Sequence, residues 1–335
     1  SMVFVEDDRA RTATNNYVNE LSRNGMHGFV GAFRSNELNY LQFYPTKDRE
    51  QVMGNLRALL WEPDAQPIQG VSDGITRMIR GRDEERRMNL VIVVEESMSA
   101  SFMSHFGNEE NLTPNLDRLA EEGLFFQHLY ATGTRTTRGL ESISLSVPPT
   151  PGRSIVKRKR NENLFSMASI LEPRGYELKF LYGGDGYFDN MNYFFTHNGF
   201  QKLDRDDMRD EDIIFENAWG VSDEDIFRVC LEDLDETYRP DRPFCRLIMT
   251  TSNHRPYTYP EGRIDIPSHS GREGAVKYSD YALGEFIEDA RNKPWFNNTL
   301  FVIVADHCAS VMGKVALPID RYRIPCILYA PGTIT

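Results

Sequence analysis

The sequence predicts an α/β domain with a mostly parallel central sheet, and two observations support this prediction. Short apolar runs of strand length recur along the chain, and helical stretches separate them. Continuous apolar runs are typical of strands buried on both faces of a sheet, and strands that alternate with helices form parallel sheets. The predicted strands are MNLVIVVEE (88–96), YELKFLYGG (176–184), FCRLIMTTS (244–252), TLFVIVADH (299–307) and IPCILYAPG (324–332).

The composition fits a folded globular protein and argues against some function classes. Of the 335 residues, 40% are hydrophobic, which is enough for a large core. The net charge of −12 argues against a general nucleic-acid binder, because phosphate backbones require a basic surface. No apolar run reaches the ~18–20 residues of a membrane span. The four cysteines have no CxxC spacing, so they indicate neither a zinc cluster nor a disulfide framework.

Residues 1–85 are the first predicted unit, a partly helical linker arm. Apolar residues have helical spacing in NYVNELSRNGMHGFVGAFR (16–34) and in REQVMGNLRALLWEP (49–63). The charged stretch RGRDEERR (80–87) marks the boundary. We therefore expect residues 86–335 to form the second unit.

The helices of the second unit are predicted from their ends and their spacing. In TPNLDRLAEEGLFFQHLY (113–130), Thr113 is suited to the N-cap, Pro114 to the first turn and Gly123 to the end. TRGLESISLS (137–146) is expected to start a helix whose N-terminal amides favour an anion. The other predicted helices are LFSMASILEPRG (164–175) and AVKYSDYALGEFIEDARN (275–292).

Three predicted strands end in polar residues that suit a metal site. The first ends at Glu96, the third leads into Asn253 and His254, and the fourth ends at Asp306 and His307. Functional residues of parallel sheets collect at the carboxyl ends of the strands. Carboxylates with an imidazole suit Mn²⁺ or Mg²⁺, with Zn²⁺ as an alternative, since no thiolate is present. Each pair taken alone is also explained by a helix cap beside a surface side chain.

The stretch ATGTRTTRGLES (131–142) is the candidate source of a nucleophile. A threonine hydroxyl is a weak nucleophile unless a base or a divalent cation activates it. The stretch contains no histidine or carboxylate before Glu141, so activation would have to come from the metal site. Arg135 and Arg138 add positive charge suited to a phosphoryl group. The alternative is a threonine-rich polar turn that caps a helix.

Four segments in order, VVEES, GTRTTRGLES, TTSNHRPY and VADH, resemble the lipoteichoic-acid-synthase-like phosphoglycerol transferases of the sulfatase/alkaline-phosphatase superfamily, especially their Gram-negative periplasmic members. The resemblance runs from about Asn89 to Gly332. It implies that residues 86–335 are a sulfatase-like catalytic domain, folded as an alkaline-phosphatase/sulfatase-like three-layer αβα sandwich. The arm resembles the linker that follows the family's membrane helices. We therefore expect an extracytoplasmic, periplasmic domain of an inner-membrane protein.

The resemblance also implies roles for individual residues. Thr137, four residues before the glutamate of TRGLE, matches the nucleophile and a metal ligand. Glu96, Asp306 and His307 match the remaining ligands of one divalent cation, Mn²⁺ ahead of Mg²⁺ or Zn²⁺. His254 matches a histidine that contacts the substrate and can serve as an acid or base.

The segment GGDGYFDNMNYFF (183–195) departs from the family pattern. Lipoteichoic-acid synthases carry a tryptophan and an arginine where Asp189 and Met191 stand, and FDNM is more similar to the Gram-negative members. Asp185, Asp189 and Asn190 suit hydrogen bonds to substrate hydroxyls and suit a turn equally well. The sequence ends at YAPGTIT, where family members continue with another strand and helix, so we expect an edge of the domain to be missing.

The function implied by the resemblance is a two-step phosphoryl transfer. Thr137 would attack the phosphorus of an anionic glycerophospholipid, phosphatidylglycerol, and a hydroxyl of a glucan or a glycerol-phosphate polymer would accept the glycerol phosphate. The basic segment RSIVKRKR (153–160) would contact an anionic lipid surface or form a solvated loop.

Three alternatives remain open on the sequence. One is a phosphoethanolamine transferase or related phosphodiesterase on the same fold, and another is a non-catalytic metal- or anion-binding sensor domain. A true sulfatase is disfavoured, because the stretch lacks the C/S-x-P-x-R motif of that class.

Overall fold

The computed structural model describes residues 13–22, 25–26, 29, 45–63, 65–67, 75–79, 85–150, 152–310 and 317–334. The strands, in chain order, are β1 (Ala65–Pro67), β2 (Arg77–Ile79), β3 (Asn89–Glu95), β4 (Leu124–Phe125), β5 (Glu177–Tyr182), β6 (Gln201–Leu203), β7 (Glu216–Asn217), β8 (Gly220–Val221), β9 (Phe244–Met249), β10 (Thr299–Ala305) and β11 (Cys326–Tyr329). The α-helices are α1 (Asn16–Ser22), α2 (Arg49–Leu59), α3 (Pro114–Glu122), α4 (Thr136–Leu145), α5 (Met167–Leu171), α6 (Met191–Thr196), α7 (Asp223–Thr237) and α8 (Arg272–Ala290).

A seven-stranded sheet forms the centre, in the order β4-β11-β10-β3-β9-β5-β6. The five strands from β10 to β6 are parallel to one another. β11 runs antiparallel to both of its neighbours. The predicted mostly parallel α/β sheet is therefore confirmed, and the predicted strand at residues 324–332 is its reversed member.

The strand register places three of the predicted polar ends side by side. β3 lies between β10 and β9, with Glu95 opposite Ala305 and Val94 opposite Met249. These strands are almost completely buried, as the apolar sequences of β3 and β10 predict, and β9 also buries Arg246 among its apolar residues. The residues that follow them emerge at one edge of the sheet, which we call the carboxyl edge.

Helices pack on this sheet and on one another. α7 packs on β5 and β9, α8 on α7, and α3 on β11. The N-terminus of α3 is capped from α8, because the Asp280 carboxylate accepts hydrogen bonds from the backbone N–H groups of Asn115 (3.0 Å) and Leu116 (2.8 Å). Thr113 occupies the N-cap position, as predicted, but its side chain makes no capping bond there.

The arm is described in parts. α1 covers the start of the predicted helix at residues 16–34, and most of its remainder lies outside the described residues. α2 matches the second predicted helix and has no buried residue. The boundary stretch 80–87 also lies mostly outside the described residues, so the two-unit division stays a prediction. Within the described ranges, no helix combines the length and apolarity needed to cross a bilayer.

Candidate metal centre and catalytic site

Glu96, Asp306 and His307 meet at the carboxyl edge. One ligand atom from each lies within 4.8 Å of the others. His307 Nε2 is 3.3 Å from Asp306 Oδ2 and 3.7 Å from Glu96 Oε1. The structure thus brings together three of the four side chains that the sequence proposed as ligands. Their approach follows from the pairing of β3 with β10, since each residue comes directly after its strand.

Hydrogen bonds fix the orientation of these side chains. Asp306 Oδ1 accepts from the backbone N–H groups of Ser97 (2.9 Å) and His307 (2.7 Å). His307 Nδ1 is 2.8 Å from the carbonyl oxygen of Cys308, which makes Nδ1 the donor. The lone pair of Nε2 then faces the carboxylates, as a metal-ligating imidazole requires.

The electrostatics of Asp306 fit a bound cation. Its Oδ2 atom is buried and has no hydrogen-bond partner among the described groups. Burial, and then the negative charge of Glu96, raise the pKa of the Asp306 carboxyl well above its usual range. Two buried carboxylates and an imidazole nitrogen without a proton would be stabilised by positive charge, and they form a mixed oxygen and nitrogen donor set.

The threonine hydroxyl that reaches this cluster belongs to Thr136. Its Oγ1 donates to Glu96 Oε2 over 3.1 Å. Thr137 follows one position later in α4, is buried, and makes no hydrogen bond from its hydroxyl to the three ligands among the contacts described. Successive helical positions are rotated by about 100°, so two adjacent threonines cannot face the same point. The structure brings Thr136, and not the predicted Thr137, to the cluster.

Close packing at Gly139 holds α4 against Asp306. A Cβ atom at Gly139 would lie 2.5 Å from the Asp306 carbonyl oxygen and 2.6 Å from its Cα. Only a glycine lets the helix approach this closely. The sequence analysis missed this role, although a glycine inside a helical pattern is itself a signal of close approach.

The two arginines of the stretch differ in their surroundings. Arg135 is exposed at the N-cap of α4. Arg138 donates to Glu141 Oε1 (2.7 Å) and Thr150 Oγ1 (2.9 Å), and also to the carbonyl oxygen of Gly152. Its guanidinium is therefore used to hold the loop that follows α4. Substrate binding by either arginine stays a prediction.

His254 lies in the loop that follows β9, the strand next to β3. Its ring is 3.7 Å from the Trp219 ring, centroid to centroid, and its Nδ1 is 3.0 Å from the Arg255 carbonyl oxygen. The preceding residue, Asn253, donates from Nδ2 to the carbonyl oxygen of Glu96 over 2.9 Å. This bond connects the strand end that carries His254 to the ligand cluster.

The three polar residues after β5 that are predicted to contact substrate make bonds to nearby protein groups. Asp185 is exposed and accepts from the backbone N–H of Tyr187 over 2.8 Å. Asp189 forms an ion pair with Lys157, and Asn190 Nδ2 donates to the Val156 carbonyl oxygen over 2.8 Å. Asp189 and Asn190 have φ values of 62° and 65°, which suit a turn. These bonds fit the turn interpretation, and the role of the three residues toward substrate stays a prediction.

The comparisons with known proteins decide the family. A family model described as Sulfatase matches residues 88–335. The chain belongs to the sulfatase family. A solved structure of a protein in the alkaline phosphatase superfamily from Vibrio parahaemolyticus is 36% identical, covers 88% of this chain and 71% of that chain, and superposes with a TM-score of 0.76. The predicted superfamily and its α/β fold are thereby confirmed.

This sulfatase-family chain is also similar to a phosphoglycerol transferase and to a lipoteichoic acid synthase. Phosphoglycerol transferase I from Citrobacter koseri is 27% identical over 241 residues, or 67% of this chain. The chain spans about a third of the length of that relative, with 31% covered. The lipoteichoic acid synthase LtaP from Listeria monocytogenes is 26% identical, with 74% of this chain and 66% of that chain covered and a TM-score of 0.64. The predicted resemblance to phosphoglycerol transferases is therefore confirmed.

Proposed function

We propose that this sulfatase-family chain carries the catalytic domain of a metal-dependent phosphoglycerol transferase. It would move glycerol phosphate from phosphatidylglycerol to a hydroxyl of a glucan or of a glycerol-phosphate polymer. The similarity to phosphoglycerol transferase I and to LtaP supports the reaction class. The observation that carries the proposal is the contact of the Thr136 hydroxyl with Glu96, inside the cluster formed with Asp306 and His307.

Glu96, Asp306 and His307 are proposed to hold one divalent cation, with Mn²⁺ as the first choice. The oxygen-rich donor set without thiolate supports this choice over zinc. Bound there, the cation would lower the pKa of a nearby hydroxyl and stabilise negative charge that develops on phosphoryl oxygens. Thr136, at the first turn of α4, is already within hydrogen-bond distance of one proposed ligand.

Thr136 is proposed as the nucleophile in place of Thr137. In the first step, a bond forms between Thr136 Oγ1 and the phosphorus of phosphatidylglycerol, and the bond from phosphorus to the diacylglycerol oxygen breaks. The proton of the Thr136 hydroxyl passes to a base, and the diacylglycerol oxygen takes up a proton as it leaves. In the second step, the acceptor hydroxyl loses its proton and bonds to phosphorus, the bond from phosphorus to Thr136 Oγ1 breaks, and Oγ1 takes up a proton again.

His254 is proposed as the group that exchanges protons with the leaving and accepting oxygens. Its position supports this role, because it follows the strand next to the ligand-bearing β3. The bond of Nδ1 to the Arg255 carbonyl oxygen leaves Nε2 available to substrate. With residues 1–85 as a linker to membrane helices, the domain is proposed to work in the periplasm, at the face where it can reach phospholipid and acceptor together.

The covalent intermediate gives the sharpest test. After incubation with phosphatidylglycerol and Mn²⁺, we expect mass spectrometry to find glycerophosphate on the peptide that contains Thr136. Thr136→Ala should abolish the adduct and lower transfer on the order of 10³-fold or more, because it removes the oxygen that would bond to phosphorus.

Thr137→Ala is the matched control, since it removes the same atoms one residue away. It should keep the adduct, and its loss with an intact Thr136 would contradict our assignment. A phosphoethanolamine adduct formed from phosphatidylethanolamine would instead identify the alternative transferase. Metal binding without any adduct would identify a sensor domain.

A further inference from the structure

The basic segment predicted from the sequence forms a loop that is fixed to the helix of Thr136. We call residues 152–160 the basic loop. The Ser154 hydroxyl lies 2.7 Å from Glu141 Oε2 and 2.9 Å from the Thr137 carbonyl oxygen, and both partners belong to α4. Val156, within the loop, has a fully buried side chain. The loop therefore keeps a defined position relative to the first turn of α4.

One basic side chain of the loop pairs with the protein, and the others are exposed to solvent. Lys157 turns toward the protein and pairs with Asp189. The other four cations are exposed: Arg153, Arg158, Lys159 and Arg160. This concentration of positive charge stands out in a chain whose net charge is −12. Because acidic surfaces repel anionic membranes, such a patch would decide which side of the molecule approaches one.

Two exposed aromatic side chains adjoin the basic loop. Tyr187 is 86% exposed and Phe188 is 53% exposed. Lys157 Nζ lies 5.9 Å from the centre of the Phe188 ring, and Asn190 bonds to the Val156 carbonyl oxygen. The aromatic pair follows β5, so it lies beyond the same carboxyl edge that carries the ligand cluster. Cations beside exposed aromatic rings are the combination found where proteins contact a membrane interface.

We propose that the basic loop, together with Tyr187 and Phe188, is a docking surface for a phospholipid bilayer that contains anionic lipid. The cations would attract the headgroups, and the aromatic rings would enter the interface. Because the loop is bonded to α4, docking would hold Thr136 at a fixed distance from the lipid. The purpose of the surface rests on the proposed function, but docking itself does not require turnover and can be measured separately.

The test is co-sedimentation of the protein with vesicles of three compositions: phosphatidylcholine alone, or mixed with phosphatidylglycerol or with phosphatidylserine. We expect binding to both anionic mixtures, although phosphatidylserine is not the proposed donor. The double variant Arg153→Glu, Lys159→Glu should weaken this binding by about 30-fold or more, since each cation contributes roughly fivefold near an anionic surface. Tyr187→Ser should weaken the part of the binding that survives high salt.

The matched control is Arg174→Glu, Arg239→Glu, which changes the net charge equally. Both residues are exposed and precede the amino ends of β5 and β9, on the opposite edge of the sheet. An equal loss in this control would overturn the proposal in favour of non-specific attraction. Binding that disappears in Thr136→Ala, or that needs phosphatidylglycerol in particular, would assign it to the catalytic site.

A weakened affinity of the double variant for soluble polyphosphate, with vesicle binding unchanged, would assign the loop to a polymeric acceptor and overturn membrane docking. Thr136→Ala that still binds anionic vesicles, but forms no adduct, would support docking and the proposed nucleophile together. Docking by a wild-type protein that forms no adduct would support the surface while contradicting the proposed function.

Discussion

At the scale of single residues, Asp306 is an unfavourably placed charge in the candidate site. One of its oxygens accepts from two backbone N–H groups, and the other is buried and accepts no hydrogen bond from the part of the chain that the structure describes. Loss of solvation and repulsion from a second carboxylate both destabilise the ionised form of a buried carboxyl group. A bound cation would offset this unfavourable free energy, because its positive charge would interact with both carboxylates.

We predict that Asp306→Asn stabilises the metal-free protein and abolishes its response to metal. Because the pKa of Asp306 is raised in the folded state, the free energy of unfolding falls as pH rises above the usual aspartate range and the group ionises. At neutral pH, removal of the charge should therefore gain about 1–3 kcal/mol in thermal or urea unfolding with a chelator present. Asp306→Ala is the comparison, since it also removes the acceptor of Ser97 and should not gain stability.

At the scale of elements, the site depends on how closely α4 lies against the end of β10. The helix carries Thr136 at its start and Gly139 three residues later, where it contacts Asp306. The contact between Gly139 and the Asp306 backbone therefore sets the position of α4 relative to the ligand cluster. Any change that lifts α4 by the width of a methyl group would separate the threonine from Glu96.

We predict that Gly139→Ala destabilises the protein by about 1–3 kcal/mol and removes the metal-dependent rise in melting temperature, because the added methyl group cannot fit against the Asp306 backbone. Gly54→Ala is the matched control, also inside a helix, where a Cβ atom meets nothing within 4 Å. It should leave metal binding unchanged and stabilise by up to about 1 kcal/mol. Equal behaviour of the two variants in chelator and metal titrations would refute the close-packing argument.

The cap that α8 provides to α3 gives a prediction about pH. Burial raises the pKa of Asp280 to about 6, so the folded state holds this proton more tightly than the unfolded state does. The stability supplied by this group is therefore greatest below about pH 4 and falls by about 3 kcal/mol as pH rises to about 6. We expect Asp280→Ala to cost more near pH 4 than near pH 7. Denaturant unfolding at the two pH values would measure this, and the opposite order would show that the backbone donors dominate.

The elements differ in how well their sequences specify them. Strands β3 and β10 have continuous apolar centres, whereas β5 and β9 each include one buried basic side chain, Lys179 and Arg246. The predominance of apolar residues in all four predicts both their type and their burial. The direction of β11 could not be predicted, because periodicity reports burial and not orientation. α7 was missed, although Ser222 and the acidic first turn mark its start. The family resemblance favoured Thr137 over Thr136, whereas the start and rotation of α4 bring Thr136 to Glu96.

At the scale of the whole molecule, the proposed metal site joins parts of the chain that are distant in sequence. Glu96 and Thr136 are 40 residues apart in sequence, and Asp306 and His307 lie near the end of the chain. The ligands could be predicted because each ends a buried strand and parallel strands share an edge. Their contact also requires β10 to pair directly with β3, across more than two hundred intervening residues. The order of the strands in the sheet cannot be predicted from local sequence patterns, because it depends on which distant strands pair.

This separation predicts how a cation affects stability. An unfolded chain keeps the ligands far apart, so a cation that binds only the folded state stabilises it by about 2.7 kcal/mol at one hundred times its dissociation constant. We therefore expect Mn²⁺ to raise the melting temperature by about 5–10 °C in thermal scans, and the rise to grow with the logarithm of its concentration. Ca²⁺ should have little effect, because it prefers six to eight oxygen ligands. Asp306→Ala combined with His307→Ala should remove the response to Mn²⁺. An undiminished response in that double variant would place the cation elsewhere and leave Thr136 without its proposed activation.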